Sequence, residues 1–222
     1  MKKLVLVMFC FAATNSFAQF KLGIQAGYNA SQFIGQGSNQ ESYHLSSINT
    51  FQAGLIAEQA LSKNLFFETG LSYIQKGGYK EPTYFTLYKG STTTTKLNYL
   101  QLPLDLAYKA NLTKDVKLIV GGGFYIAAGI SGTEKGTDNS TGTTTTVDNK
   151  VHFTNSSAYA SNSTSIKPFD LGYNFNAGIE WKKFQFTANF SRGFKSIIPL
   201  SGSTSFLNQT IGISVAYLVP WK

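Results

Sequence analysis

Apolar and polar residues alternate with a period of two along most of this chain, and the 3.6-residue period of an amphipathic helix is missing. In the segment Leu100–Tyr108, for example, leucine or tyrosine occupies every second position. Such alternation is typical of β-strands with one apolar face. The pattern predicts eight strands, most of them about twice as long as a globular strand. They are Phe20–Ala30, Phe51–Leu61, Leu65–Lys76, Leu100–Lys109, Leu118–Ile130, Leu171–Trp181, Phe184–Phe194 and Leu207–Val219.

Alternation alone does not say which face of these strands meets water. A soluble barrel of the lipocalin kind hides its apolar face, whereas a membrane barrel turns that face toward lipid and fills its lumen with small polar side chains. Here the polar positions are mostly Gly, Asn, Ser, Ala, Gln and Thr, with few of the charged residues expected on a solvated face. The sequence therefore predicts an all-β, eight-stranded antiparallel up-and-down transmembrane β-barrel, with a soluble ligand-binding barrel as the alternative.

The connections between the predicted strands are alternately short and long, as in a barrel with periplasmic turns and external loops. The external loop 131–165 is rich in Ser and Thr, so it is either mobile or extends the barrel as a hairpin. Short turns are predicted at 62–64, 111–115 and 182–183, and long loops at 31–50, 77–95, 131–169 and 195–205. Aromatic residues at the strand ends are expected to form two interfacial girdles, namely Phe20, Tyr28, Phe51, Tyr108, Trp181, Phe184, Phe194 and Tyr217.

The amino-terminal residues have the pattern of a secretory signal peptide. Two lysines precede a short apolar run, and small residues then predict cleavage between Ala18 and Gln19. The expected organisation is a signal peptide at residues 1–18 and one outer-membrane barrel domain at residues 19–222. The single cysteine, Cys10, is expected to leave with the peptide, which excludes disulfides, thiol catalysis and cysteine metal sites from the mature chain.

Composition excludes several other classes of protein. Charged residues make up 14% of the chain, against about 25% in an average soluble domain, and aromatic residues also reach 14%. A disordered, coiled-coil or collagen-like chain is neither this aromatic nor this poor in charge. The net charge of +8 does not indicate nucleic-acid binding, because the lysines are scattered and Arg192 is the single arginine.

A set of charged residues falls on the polar faces of the predicted strands and is expected to lie in the lumen. The turn at 62–64 places Glu58 directly opposite Glu68, and two carboxylates this close require either a proton or an intervening cation. The set is interpreted as a packed ionic plug that seals a narrow barrel, with a gated ion path as the alternative. Its members are Glu58, Glu68, Asp105, Lys21, Lys109 and Lys117.

The remaining candidates for chemistry are few. His44 and His152 lie in different predicted external loops, without the held nucleophile that a catalytic base needs. We therefore predict no catalytic, cofactor-binding or metal-binding residues. Arg192 is expected to face outward near the external end of the seventh strand, where it is positioned to contact lipid A phosphates, unless a bulge turns it into the lumen.

Several segments carry a resemblance to a known family. The most specific is Tyr99–Leu104, which reads Tyr-Leu-Gln-Leu-Pro-Leu, and Gly23–Tyr28, Asn176–Glu180 and Thr210–Tyr217 add to it. The whole mature chain resembles the Bacteroidetes outer-membrane β-barrel proteins of the PorT type, within the OmpA/OmpX-like eight-stranded barrels. The resemblance implies an outer-membrane location. It implies no single activity, although one member assists a protein-secretion and gliding apparatus, so no functional residues are transferred.

Together these observations predict a non-enzymatic structural or interaction component of the cell envelope that binds through its extracellular loops and is accessory to a secretion system. The expected partners are outer-membrane lipids, including lipopolysaccharide, and an envelope protein. The alternatives are a small-solute or ion pore and, less favoured, a barrel enzyme that acts on lipid or peptide.

Overall fold

The computed structural model describes residues 20–36, 42–80, 92–138, 143–155, 164–199 and 205–221, so the predicted signal peptide lies outside the described residues. These segments contain no helix long and apolar enough to cross a membrane. The strands are β1 (Phe20–Gln36), β2 (Ser42–His44), β3 (Ile48–Ala60), β4 (Leu65–Lys80), β5 (Thr92–Asn111), β6 (Val116–Asp138), β7 (Thr145–Phe153), β8 (Thr164–Ile166), β9 (Phe169–Trp181), β10 (Phe184–Gly193) and β11 (Ser205–Pro220).

Eight of these strands close into a ring. The order around it is β1, β3, β4, β5, β6, β9, β10 and β11, and β11 pairs back onto β1. Every pair in the ring is antiparallel. The predicted all-β, eight-stranded antiparallel barrel is therefore confirmed, with each predicted strand inside one strand of the ring or overlapping it.

The two faces of the ring differ as a membrane barrel requires. On β5, Leu100, Leu102 and Leu104 point outward and are 38–40% exposed, whereas Gln101 and Asp105 on the same strand point inward and are at most 9% exposed. The other strands of the ring repeat this arrangement, with large apolar side chains outside and polar ones inside. A soluble barrel has the opposite arrangement, because its apolar face is buried.

On the external side the strands are longer than the sequence predicts, and additional strands are present. β5 and β6 pair without a break in the ladder from Thr92 opposite Thr137 to Asn111 opposite Lys117, with a register shift at Asn98 and Tyr99. β7 pairs with β6, and β8 lies parallel to β7. The described parts of the predicted loops 77–95 and 131–169 are therefore mostly β-sheet, and the hairpin alternative for the Ser/Thr-rich segment is right. Threonine is β-branched and suits strands, but it leaves no apolar alternation to detect.

The interfacial aromatic residues lie at the two ends of the ring. At the turn end, Phe184 lies opposite both Trp181 and Tyr217, and the rings of Phe184 and Tyr217 are 5.1 Å apart. At the external end, Tyr28 lies opposite Phe51, whose ring stacks on Tyr73 at 5.5 Å. These rings mark the upper and lower boundaries of the lipid-facing surface.

Candidate functional site: the barrel lumen

A layer of ion pairs crosses the lumen near the periplasmic end, and Lys109 is at its centre. The Lys109 Nζ lies 3.1 Å from Glu68 Oε1 and 2.7 Å from Glu180 Oε2, and it also contacts Glu58 Oε2. Glu58 lies directly opposite Glu68 in the β3–β4 ladder, as the turn predicts. The cation that separates these two carboxylates is thus the ammonium group of Lys109 from β5.

Two further lysines complete this layer from its periplasmic side. The Lys21 Nζ lies 2.9 Å from Glu58 Oε1 and 3.1 Å from Glu180 Oε1, and the Lys117 Nζ lies 3.6 Å from Glu180 Oε1. The side chains of these two lysines are 23% and 33% exposed, so they face the periplasmic opening. We call the set Lys21, Glu58, Glu68, Lys109, Lys117 and Glu180 the lower layer.

The lower layer balances its charges and spans most of the ring. It contains three carboxylates and three ammonium groups, and Gln185 donates hydrogen bonds to Glu58 at 3.0 Å and to Glu68 at 3.3 Å. When Gln185 is counted with the lower layer, every strand of the ring except β11 contributes a residue to it. Apolar side chains fill the space around these polar groups, in the clusters Ala60, Phe66, Ala107, Ile119 and Ile56, Ala216, Leu218.

The structure separates Asp105 from the lysines with which the sequence grouped it. Asp105 lies in the lumen opposite Glu68 in the β4–β5 ladder, but it makes no ion pair within the described part of the chain. Its Oδ2 accepts a hydrogen bond of 2.8 Å from Asn174 Nδ2. Lys109 lies four residues further toward the periplasm on the same strand, and its ammonium group is held there by three glutamates.

A second buried ion pair lies nearer the external end, and the sequence analysis missed it. Lys76 and Asp170 are 3.0 Å apart, and both side chains are fully buried. Asp170 Oδ2 also accepts hydrogen bonds from Tyr125 Oη at 3.1 Å and from Asn208 Nδ2 at 2.8 Å. The Lys76 Nζ lies 4.0 Å from the centroid of the Tyr125 ring, a cation–π distance. We call Lys76, Tyr125, Asp170 and Asn208 the upper layer.

An apolar cap covers the upper layer on the external side. Residues of the ring, of the external strands β7 and β8 and of the segment after β10 form one buried cluster. Side chains from outside the predicted barrel thus close the external opening. The cluster consists of Phe33, Ile74, Leu97, Tyr99, Tyr125, Ala127, Val151, Ile166 and Ile197.

A small polar cavity, which we call the chamber, lies between the two layers. Along β4, chamber residue Ser72 lies between Glu68 of the lower layer and Lys76 of the upper layer. The chamber has a volume of about 90 Å³, and its walls include Gln101, Asp105, Asn174 and Asn176. This volume admits a few water molecules.

The other predicted candidates lie outside the lumen. His44 is in β2 opposite Ile34, and His152 is exposed in β7, so both histidines are in strands rather than in the predicted loops. Arg192 is in an unbroken ladder opposite Gln209 and Tyr173, with no bulge that would turn it inward. Within the described segments, no group of three or more His, Cys, Asp or Glu side chains is placed to hold a metal ion.

The closed ring, the apolar outer surface and the polar lumen define a transmembrane β-barrel. The family model of the outer membrane protein beta-barrel domain matches residues 12–199, which end before β11. The chain therefore belongs to this family, and it is an outer-membrane β-barrel protein.

Several solved structures of bacterial proteins are similar to this chain at low identity. Ail of Yersinia pestis has 11% identity and a TM-score of 0.42, covering 90% of this chain and 99% of Ail. Neisserial surface protein A has 11% identity and a TM-score of 0.42, covering 87% and 96%. OprG of Pseudomonas aeruginosa has 10% identity and a TM-score of 0.44, covering 92% and 98%. Scores this low carry no argument about function, and no curated protein matches the sequence.

Proposed function

We propose that the protein is a non-enzymatic, non-conducting barrel that serves as a structural or interaction component of the envelope and binds through its extracellular part. The observation that carries this proposal is that fully buried ion pairs lie in the lumen at two levels. A barrel whose lumen is crossed by buried ion pairs has its surfaces left for function. Outside the membrane these include the external sheet, formed by the outer parts of β5 and β6 with β7 and β8.

The buried ion pairs favour this role over a pore. An ion path through the barrel must separate Lys109 from its glutamates and Lys76 from Asp170. Removing one partner of a buried pair costs about 3–5 kcal/mol, because the other charge is left without compensation. Eight strands also leave an interior that side chains just fill.

The external sheet offers a basic face for binding. Lys96, Thr133 and Lys150 form one row across β5, β6 and β7, and all three are exposed. Lys135 lies on the same face in the next row and is 3.3 Å from Asp148. Because Lys96 has the same outward parity as lipid-facing Leu100, this face continues upward from the membrane surface. Such lysines suit the phosphates of lipopolysaccharide or an acidic face of an envelope protein.

Two further parts of the proposal concern a contact of Arg192 with lipid A and the assignment of the chain to the PorT type. Arg192 is partly exposed on the outer surface and makes no ion pair with the residues that the structure describes, so its guanidinium is available to a lipid A phosphate. The PorT type, with an accessory role in secretion, is supported by the run Tyr99–Leu104 in β5.

The first experiment is mild detergent extraction of the outer membrane, native sizing and mass spectrometry of co-migrating proteins. We expect a reproducible partner whose recovery falls in a Lys96→Gln, Lys150→Gln variant. Recovery of the partner should be unchanged in the control Lys114→Gln, because Lys114 is exposed in the β5–β6 turn on the opposite side of the membrane. Migration as a bare monomer would remove the protein partner from the proposal.

Planar bilayers test the claim that the barrel does not conduct. The wild-type barrel should give no discrete conductance steps, whereas Glu68→Ala should raise the conductance because it opens the lower layer. Discrete wild-type steps would replace the proposal with a pore. An activity on lipid or peptide that disappears on substitution of His44 or His152 would replace it with an enzyme.

A further inference from the structure

The chamber contains buried polar atoms that have no hydrogen-bond partner among the described residues. Five of them belong to residues of its wall: the acceptors Asp105 Oδ1, Gln101 Oε1, Asn174 Oδ1 and Asn176 Oδ1, and one donor, Asn29 Nδ2. Asp105 is 5% exposed and Gln101 is 9% exposed, so bulk water does not reach them freely. Unpaired acceptors at this depth are unfavourable, and their number indicates that the chamber holds something that compensates them.

The balance of charges in the lumen also indicates a bound cation. The lower layer has three acids and three lysines, and the upper layer pairs one lysine with one aspartate. Asp105 adds a carboxylate that no lysine neutralises in the described part of the chain. The lumen as a whole is therefore short of one positive charge, and the deficit lies at the chamber wall.

Two glycines on β6 leave room for the side-chain oxygens of Asp105 and Asn176. Gly123 lies between Asp105 of β5 and Asn174 of β9, and a Cβ atom on it would come within 2.5 Å of Asp105 Oδ1. Gly121 lies opposite Asn176, and a Cβ atom there would come within 2.6 Å of Asn176 Oδ1. The side chains of Asp105 from β5 and Asn176 from β9 thus lie over a strip of bare backbone on one wall of the chamber.

We propose that the chamber binds one monovalent alkali-metal cation, Na⁺ or K⁺, with Asp105 as the charged ligand. The amide oxygens of Gln101, Asn174 and Asn176, together with water, supply the remaining coordination. Hard cations take oxygen ligands of this kind, and the nitrogen and sulfur ligands that select transition metals are absent from the chamber wall. One positive charge neutralises the lumen, whereas a divalent ion would leave an excess.

Two simpler occupants of the chamber, water alone and a proton on Asp105, do not account for both the unpaired acceptors and the missing positive charge. Water alone supplies donors but no charge, so Asp105 stays uncompensated. A proton on Asp105 removes the charge but serves at most one of the other acceptors. The volume of about 90 Å³ holds one ion with a few waters. This site is independent of the proposed envelope function, since it depends on the lumen alone.

The test measures thermal unfolding of the refolded full-length barrel in detergent micelles, in NaCl, in KCl and in N-methylglucamine chloride at equal ionic strength. The wild-type midpoint should be at least about 2 °C higher with Na⁺ or K⁺ than with N-methylglucamine, because a ligand that binds only the folded state stabilises it. In Asp105→Asn the three salts should give the same midpoint. The control Asp148→Asn, which changes an exposed aspartate of β7, should respond as the wild type does.

A second variant keeps the test decisive if Asp105→Asn does not fold. Asn176→Ala removes one amide oxygen and keeps the carboxylate, so the concentration of cation that gives half of the stabilisation should rise several-fold. Equal wild-type midpoints in all three salts would overturn the proposal, as would an undiminished cation effect in Asp105→Asn. Stabilisation by CaCl₂ alone would overturn the assignment to a monovalent ion.

Discussion

Replacing Lys109 with methionine is the sharpest test of the lower layer. The Lys109 side chain is fully buried, and its Nζ is in contact with three carboxylates. Methionine fills most of the same volume without the charge, so Glu58 and Glu68 lose the cation between them. Removal of one partner from a buried ion pair costs about 3–5 kcal/mol. The folding equilibrium constant should therefore fall by roughly 10²–10⁴.

Urea titration of the barrel in lipid vesicles measures this loss. Trp181 and Trp221 are 48% and 60% exposed on the outer surface, so their fluorescence reports the transfer between lipid and water. The linear dependence of the unfolding free energy on urea gives the difference between variant and wild type. Conductance measured in the same preparation should rise, because the layer is no longer closed at its centre.

Two matched variants separate the charge effect from general disturbance. Lys114→Met changes an exposed lysine of a periplasmic turn and should stay within about 0.5 kcal/mol of the wild type. Adding Glu58→Gln to Lys109→Met should recover part of the lost stability, because it removes one of the two facing like charges. A Lys109→Met barrel within about 1 kcal/mol of the wild type, with no gain in conductance, would refute the assignment of the layer as a seal.

Three further substitutions probe other parts of the barrel. Lys76→Met leaves Asp170 buried without its cation and should cost about 3–5 kcal/mol in the same urea titration; a neutral result would remove the upper layer as a stabilising element. Leu102→Arg places a charge on the lipid-facing surface and should cost up to about 2–4 kcal/mol, whereas a soluble barrel would tolerate it. In Gly123→Ala the new Cβ collides with the Leu104 carbonyl oxygen, so the β5–β6 ladder must shift, and the folded band in an unheated gel should weaken.

The strands of the ring and the faces of their side chains were predictable from the sequence. Long alternation sets which residues point inward, and the three-residue turn between β3 and β4 fixes Glu58 opposite Glu68. Local patterns do not set which residues meet across the lumen. Glu180 has the inward parity of its strand, but its contact with Lys109 depends on the stagger around the whole ring.

Other features were not predicted because the local sequence pattern that would mark them was weak. Asp170 fell between a predicted loop and a predicted strand, so its pairing with Lys76 and the entire upper layer were missed. The external strands contain Thr on both faces, as in Thr92–Thr95, and therefore lack the apolar alternation that marks a strand. The placement of Asp105 beside the lysines failed for a different reason, since parity gives the face of a residue but not the direction in which a long lysine reaches.

The charged lumen also specifies the register of the barrel. If β5 slipped by one residue against its neighbours, Asp105 and Lys109 would move to the lipid face and the adjacent leucines would move into the lumen. Because Lys109 lies near the periplasmic end, its own transfer to the lipid face costs less than the about 2–4 kcal/mol of a midplane lysine, and the larger penalty is the loss of the buried ion pairs. An apolar lumen would impose no such penalty, because both faces of each strand would then suit lipid equally well. The lower layer therefore acts against misregistered barrels. A barrel with Lys109, Glu58, Glu68 and Glu180 all replaced by methionine or leucine should retain strand content while losing a single well-defined folded band.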